Sequence, residues 1–131
     1  MKHAELVLIT EYLTQFKKIS SISRADDNVL KIYFERGLPL FVDLSRNDSY
    51  MFQKEDFKRS KLYNAPFDVI LAKRFANSAL ERVEVEEGNR ILRLHVKASS
   101  SYKALFTTLQ LEFTGRNTNA IILDEEGVVL E

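Results

Sequence analysis

Three stretches of this chain alternate apolar and polar residues with a period of two, and that pattern constrains the fold most. In "VLKIYFE" the apolar set is Leu30, Ile32 and Phe34. In "ILRLHV" it is Leu92, Leu94 and Val96. In "ALFTTLQLEF" it is Leu105, Leu109, Leu111 and Phe113, with Thr107 in phase. Successive side chains on a strand point to opposite faces, so each stretch reads as a strand with one buried and one solvated face. Such alternation belongs to antiparallel sheets. "LPLFVDL" adds a fourth, with Leu38, Leu40, Val42 and Leu44 in phase, joined to the first through a tight turn at Arg36-Gly37. Pro39 cannot donate to a ladder, which favours an edge position for that strand.

Shorter pieces complete the sheet. Residues 19–24 read as a strand and 25–28 as a turn. "SYMF" reads as a short strand with Tyr50 and Phe52 alike. Val83 and Val85 lead into Gly88-Asn89, a pair suited to a primed hairpin turn. A strand over 120–124, a turn at Glu125-Glu126-Gly127 and a further strand from Val128 close the chain. Two segments switch to the helical period. Leu6, Ile9, Leu13 and Phe16 predict a helix over 3–17, with Lys17 and Lys18 in its last turn. Phe67, Ile70, Leu71 and Phe75 predict a second over 66–77, with Asn64 as cap and Pro66 in its first turn. Residues 53–65 and 99–101 read as loops. The expected fold class is α+β: an antiparallel β-sandwich or bent sheet with two flanking helices, in one domain spanning 1–131.

Composition narrows the function. There is no cysteine and there are only two histidines, so thiol catalysis, disulfides and cysteine or histidine-rich metal sites are excluded. No GxSxG, Walker, GxGxxG or HExxH pattern occurs. We therefore expect no enzyme, no cofactor, no metal and no small-molecule substrate. No apolar run reaches the ~20 residues of a membrane span. The amino terminus carries Glu5 and Glu11 and lacks a signal peptide's pattern, so no membrane association and a cytoplasmic location are expected. Net charge is zero but uneven: 13 Lys/Arg against 10 Asp/Glu in 1–74, and 6 against 9 in 75–131. The acidic runs Glu84-Val85-Glu86-Glu87 and Asp124-Glu125-Glu126 read as solvated turns, and His95 as a partly exposed histidine without a role.

Three polar features exceed what structure alone asks for. Lys58-Arg59-Ser60-Lys61 lies between Phe57 and Tyr63, a mixture suited to phosphate contact and base stacking. Asn89-Arg90 sits in a hairpin turn whose geometry explains the asparagine but not the arginine. Gly115-Arg116-Asn117-Thr118-Asn119 places an arginine and two asparagines in one connection. Arginine forks onto phosphate, and asparagine amides read base edges or brace neighbouring backbone.

The run "ALFTTLQLEFTGRNTNAIILDEEGVVLE" resembles the end of the NFACT-N domain, found in the RqcH/NEMF family of ribosome quality-control factors. The matching residues are Glu112, Phe113, Gly115, Arg116, Thr118 and Asn119, followed by Ile121-Ile122-Leu123-Asp124. "KISSISRADDNVLKIYF" and "PFDVILAKRFANSALERVEVEEGNRILRLHV" resemble earlier family segments, so the resemblance spans nearly the whole chain. It implies a fold like the amino-terminal β-sandwich of formamidopyrimidine-DNA glycosylase. It does not imply glycosylase chemistry, because Lys2-His3 follow Met1 where those enzymes place a proline nucleophile.

The resemblance further implies a non-catalytic RNA-binding module that helps bind the large ribosomal subunit with peptidyl-tRNA and recruit tRNA for alanine tailing. The family's aspartate-arginine pair corresponds to Asn89 and Arg90, with the charge of the first position lost. Its helix motif keeps Lys73. The RNA-binding residues are thus expected to be Asn89, Arg90, Arg116, Asn117, Asn119 and Lys73. The expected partners are the large ribosomal subunit and tRNA. Bacterial members are also labelled fibronectin- or fibrinogen-binding proteins, which makes a protein-binding module the alternative. Family members continue past this region, so the chain is expected to be the N-terminal fragment of a longer one.

Overall fold

A computed structural model describes residues 3–45, 49–53, 63–86, 88–99, 104–113 and 118–131. Its elements are α1 (His3–Leu13), β1 (Lys18–Asp26), β2 (Val29–Phe34), β3 (Leu40–Asp43), β4 (Tyr50–Gln53), α2 (Pro66–Phe75), β5 (Ser78–Glu86), β6 (Ile91–Ser99), β7 (Ala104–Glu112) and β8 (Asn119–Leu123). All eight strands pair antiparallel in the order β4-β3-β2-β1-β5-β6-β7-β8. The fold class is therefore α+β.

The sheet has two four-stranded halves joined at a narrow seam. Only Lys18↔Ala79 and Ile19↔Ser78 pair β1 with β5. Ser78 is buried there, and its Oγ donates to the Phe75 carbonyl at 2.8 Å. The inward sets of both halves meet in one buried cluster. It holds Leu30 and Ile32 from β2, Leu94 from β6, Leu109 and Leu111 from β7, Ile122 from β8, and Leu71 and Phe75 from α2. The alternating residues picked out in β2 and β6, and Leu109, Leu111 and Phe113 at the end of β7, thus face one core; Thr107 is buried in phase with them, while Leu105 is only half-buried and outside the cluster. β3 is buried on both faces: Leu40 and Val42 join this cluster, while Phe41 packs with Ala25, Val29 and Phe52 on the other side.

Several local expectations need correction. Helix α1 stops at Leu13, and Gln15 and Phe16 continue as a tighter turn, donating to Tyr12 and Leu13 carbonyls. That turn stacks the Phe16 ring on Phe34, centroids 4.2 Å apart. The lysines are therefore not in the helix: the Lys17 N–H donates to Glu35 Oε2 at 2.8 Å and Lys18 opens β1. β3 lies between β2 and β4, not at an edge, because it begins one residue after Pro39 and the missing N–H falls outside the ladder. The residue capping α2 is Ala65, not Asn64, and the Asp68 carboxylate accepts the Ala65 N–H at 3.1 Å. Residues 128–131 make an isolated bridge at Leu123↔Val129, with the Leu130 N–H donating to Ile122, in place of a full strand.

Candidate functional site

The second half of the sheet ends on one row. Glu86 pairs with Ile91, Ile91 with Glu112, and Glu112 with Asn119. The β5–β6 and β7–β8 connections therefore leave the sheet at the same end, side by side. A backbone bond ties them: the Phe113 N–H donates to the Arg90 carbonyl at 3.0 Å, and the Phe113 ring is buried beneath.

The first connection is wider than the expected primed turn. Left-handed backbone falls at Gly88 (φ 82) and Arg90 (φ 50), with Asn89 between them. Left-handed φ is uncommon for a non-glycine residue. Arg90 is half-buried, and no described residue bonds its guanidinium. The Asn89 amide turns back to donate to Glu86 Oε1 at 3.0 Å, while Arg93 holds the other Glu86 oxygen at 2.7 Å. Arg93 first, then Asn89, keep the Glu86 carboxyl below its usual range. In the second connection Arg116 and Asn117 lie outside the described residues, as does the basic stretch at 58–61. Asn119 is exposed, and its Oδ1 accepts the Ala120 N–H at 2.9 Å.

This end reaches across to the other half. Thr118 Oγ1 donates to the Leu44 carbonyl, and the Leu44 N–H donates to the Asn28 carbonyl at 2.8 Å. Beside them Arg24 forks onto Asp68, with Nε at 3.0 Å from Oδ1 and Nη2 on Oδ2. The Tyr63 ring covers the guanidinium at 4.3 Å and its hydroxyl donates to Asp27 Oδ1 at 2.8 Å. The Asp68 bond raises the Arg24 pKa above its ordinary value. Burial first, then the Asp27 bond, push the Tyr63 phenol up to about 12. A cleft of about 240 Å³ remains between this cluster and Thr118–Ala120.

Of the residues singled out in the sequence, Asn89, Arg90 and Asn119 come together here. Lys73 does not. It is exposed in the last turn of α2, whose neighbouring Arg74 reaches Thr107 at 3.2 Å, towards the opposite end of β7. The sequence reading missed the Arg24–Asp68–Tyr63–Asp27 cluster, whose members are far apart in the chain and follow no local pattern. It also missed a network on the outer face of β5–β7. His95 Nε2 lies 2.6 Å from Glu84 Oε1, and its Nδ1 lies 2.9 Å from Thr108 Oγ1. The His95 bond holds the Glu84 carboxyl below its usual range. Hairpin register pairs Glu84 with Arg93 and Arg82 with His95, so counting outward from the turn contained this signal. Among the described residues no three His, Asp or Glu side chains gather to hold a metal ion. None of the described helices is long and apolar enough to cross a membrane.

No protein-family model and no curated protein matches the chain. Solved structures do. The chain is similar to the N-terminal part of the fibronectin/fibrinogen-binding protein from Streptococcus suis, with 21% identity and a TM-score of 0.82 over 96% of this chain and 50% of that one. The N-terminal domain of the fibronectin-binding protein PavA from Streptococcus pneumoniae matches with 21% identity and TM-score 0.82, over 96% of this chain and 51% of that one. The fibrinogen binding protein from Staphylococcus aureus matches with 16% identity and TM-score 0.77, over 93% and 46%. At these identities the likeness establishes the fold. The chain spans about half the length of each of these structures.

Proposed function

We propose that this chain is a non-catalytic RNA-binding module of an RqcH-like ribosome quality-control factor. In that role it acts in the cytoplasm and helps hold tRNA on the large ribosomal subunit for alanine tailing. The observation that carries the reading is the meeting of the Arg90 and Asn119 connections at one end of the sheet. Arg90 keeps a left-handed backbone there and a guanidinium that no described residue engages. Such a group suits forked contact with phosphate, and the Asn119 amide N–H groups, which donate to no described residue, suit a base edge. The names borne by the similar structures also agree with the labels of bacterial members of the resembled family.

Fluorescence anisotropy with labelled tRNA tests the reading. We expect binding that weakens as salt rises, and Arg90→Ala to weaken it about tenfold, the scale of a lost charge-assisted bond. Lys73→Ala, at the far end, should change it less than twofold. Equal affinities for wild type and Arg90→Ala would reject the site.

A second reading, favoured by the names of the three similar structures, is a module that binds fibronectin or fibrinogen. β4 is an end strand of the sheet, and an end strand can accept a partner strand. Surface capture that retains fibronectin or fibrinogen, with no affinity for RNA, would replace the first reading by this one.

A further inference from the structure

The cleft between the two halves of the sheet has a size and lining suited to one flat ring. Its volume of about 240 Å³ lies below the roughly 300–1,000 Å³ of pockets for drug-sized ligands. Leu44, Phe67 and Ala120 give it apolar walls, and Arg24, Asn28 and Asn119 line it with polar groups. Phe67 is only partly covered by the core it packs against, which leaves ring surface available. Asn28 is exposed, and none of the described residues bonds its side-chain amide. An amide offers a donor and an acceptor together, the pairing that matches a base edge.

The walls are fixed in place. Arg24 is held in a fork by Asp68 and covered by Tyr63. The Thr118–Leu44 and Leu44–Asn28 bonds join the two sides of the cleft. A preformed slot loses little on binding. It also adjoins the Arg90 end of the sheet: Asn119 is two strands from Ile91, about 10 Å at ~4.8 Å per strand.

We infer that this cleft receives a single unstacked nucleobase from the RNA whose backbone the Arg90 end holds. The inference rests on the RNA-binding reading and deepens it. Proteins that read single-stranded RNA splay bases out, stack them on aromatic rings and bond their edges. Phe67 is the stacking surface here, and Asn28 and Asn119 are the edge readers.

The test compares single-stranded RNA ten-mers with the same ten-mers carrying one abasic position, by anisotropy, alongside an NMR titration with free nucleosides. Wild type should bind the intact RNA about tenfold more tightly than the abasic one, the scale of one base–aromatic stack. Phe67→Leu, which keeps an apolar side chain, and Asn28→Ala, an exposed change, should each reduce that ratio without weakening abasic binding. Nucleosides should shift the resonances of Asn28 and Asn119. An unchanged ratio in both variants, with nucleosides shifting neither residue, overturns the base site while leaving RNA binding intact. Nucleoside shifts without any affinity for RNA keep the ring site and overturn the RNA reading. Absence of both overturns both.

Discussion

Arg24 and Asp68 are 44 positions apart, yet they form the most enclosed ion pair among the described residues, with side chains 24% and 8% exposed. Removing the arginine strands a nearly buried carboxylate that also holds the Ala65 N–H at the start of α2. Arg24→Ala should therefore destabilise the fold by roughly 2–3 kcal/mol, somewhat below a fully buried pair; a urea titration measures it. Nothing in the sequence announces this pair, because side chains brought together by tertiary packing leave no periodic trace. The network of Glu84, Glu86, Arg93 and His95 differs, since it follows from hairpin register alone. Its carboxyls also set a pH dependence. Glu84 and Glu86 have folded pKa values below the ordinary 4.5, through His95 and Arg93. The unfolded chain therefore takes up protons first as pH falls. The stability they contribute is complete above about 4.5 and is lost as pH drops through their folded values. Thermal melts between about pH 6 and 3 should show that loss, with a shallower fall in Glu84→Gln. A slope identical in wild type and variant would contradict it.

Elements read well from period and poorly at their ends. Period two located β2, β6 and β7 because one face of each is buried against the same cluster. The helical period located α2, where Leu71 and Phe75 are fully covered. Ends depend on single contacts that periodicity ignores. α1 closes early because the turn at Phe16 stacks on Phe34. The cap of α2 comes from Asp68, inside the helix, rather than from Asn64 before it. The β5–β6 connection places its positive φ on Gly88 and Arg90 and not on Asn89, where a two-residue primed turn would have put it. For the same reason the candidate site was only half legible: residue types pointed to the two connections, but their contact through Phe113 and Arg90 needed the register of four strands. Leu71→Ala should destabilise by about 2–5 kcal/mol through a cavity at the heart of the shared cluster. Val69→Ala on the exposed side of the same helix should stay within about 0.5 kcal/mol. Equal midpoints for both variants in urea would mean that α2 does not contribute to the core as described.

At the scale of the molecule, zero net charge limits the way RNA can be held. A domain with 19 basic and 19 acidic residues cannot lay a long cationic track along a phosphate backbone. Many of the charges seen are also spent internally, as in Arg24–Asp68 and Arg93–Glu86. Affinity on the proposed reading therefore comes from a few contacts at one end, anchored by Arg90, with base contacts supplying the remainder. Counterion release makes this measurable, because each phosphate neutralised on a single strand adds about −0.7 to the slope of log association constant against log salt. Two or three such contacts give a slope of about −1.5 to −2. Arg90→Ala should flatten it by about 0.7, whereas Phe67→Leu should lower affinity at every salt concentration and leave the slope unchanged. A slope steeper than about −5 would require a wider cationic footprint than this charge balance provides. That result would move the RNA surface away from the end of the sheet where Arg90 and Asn119 meet.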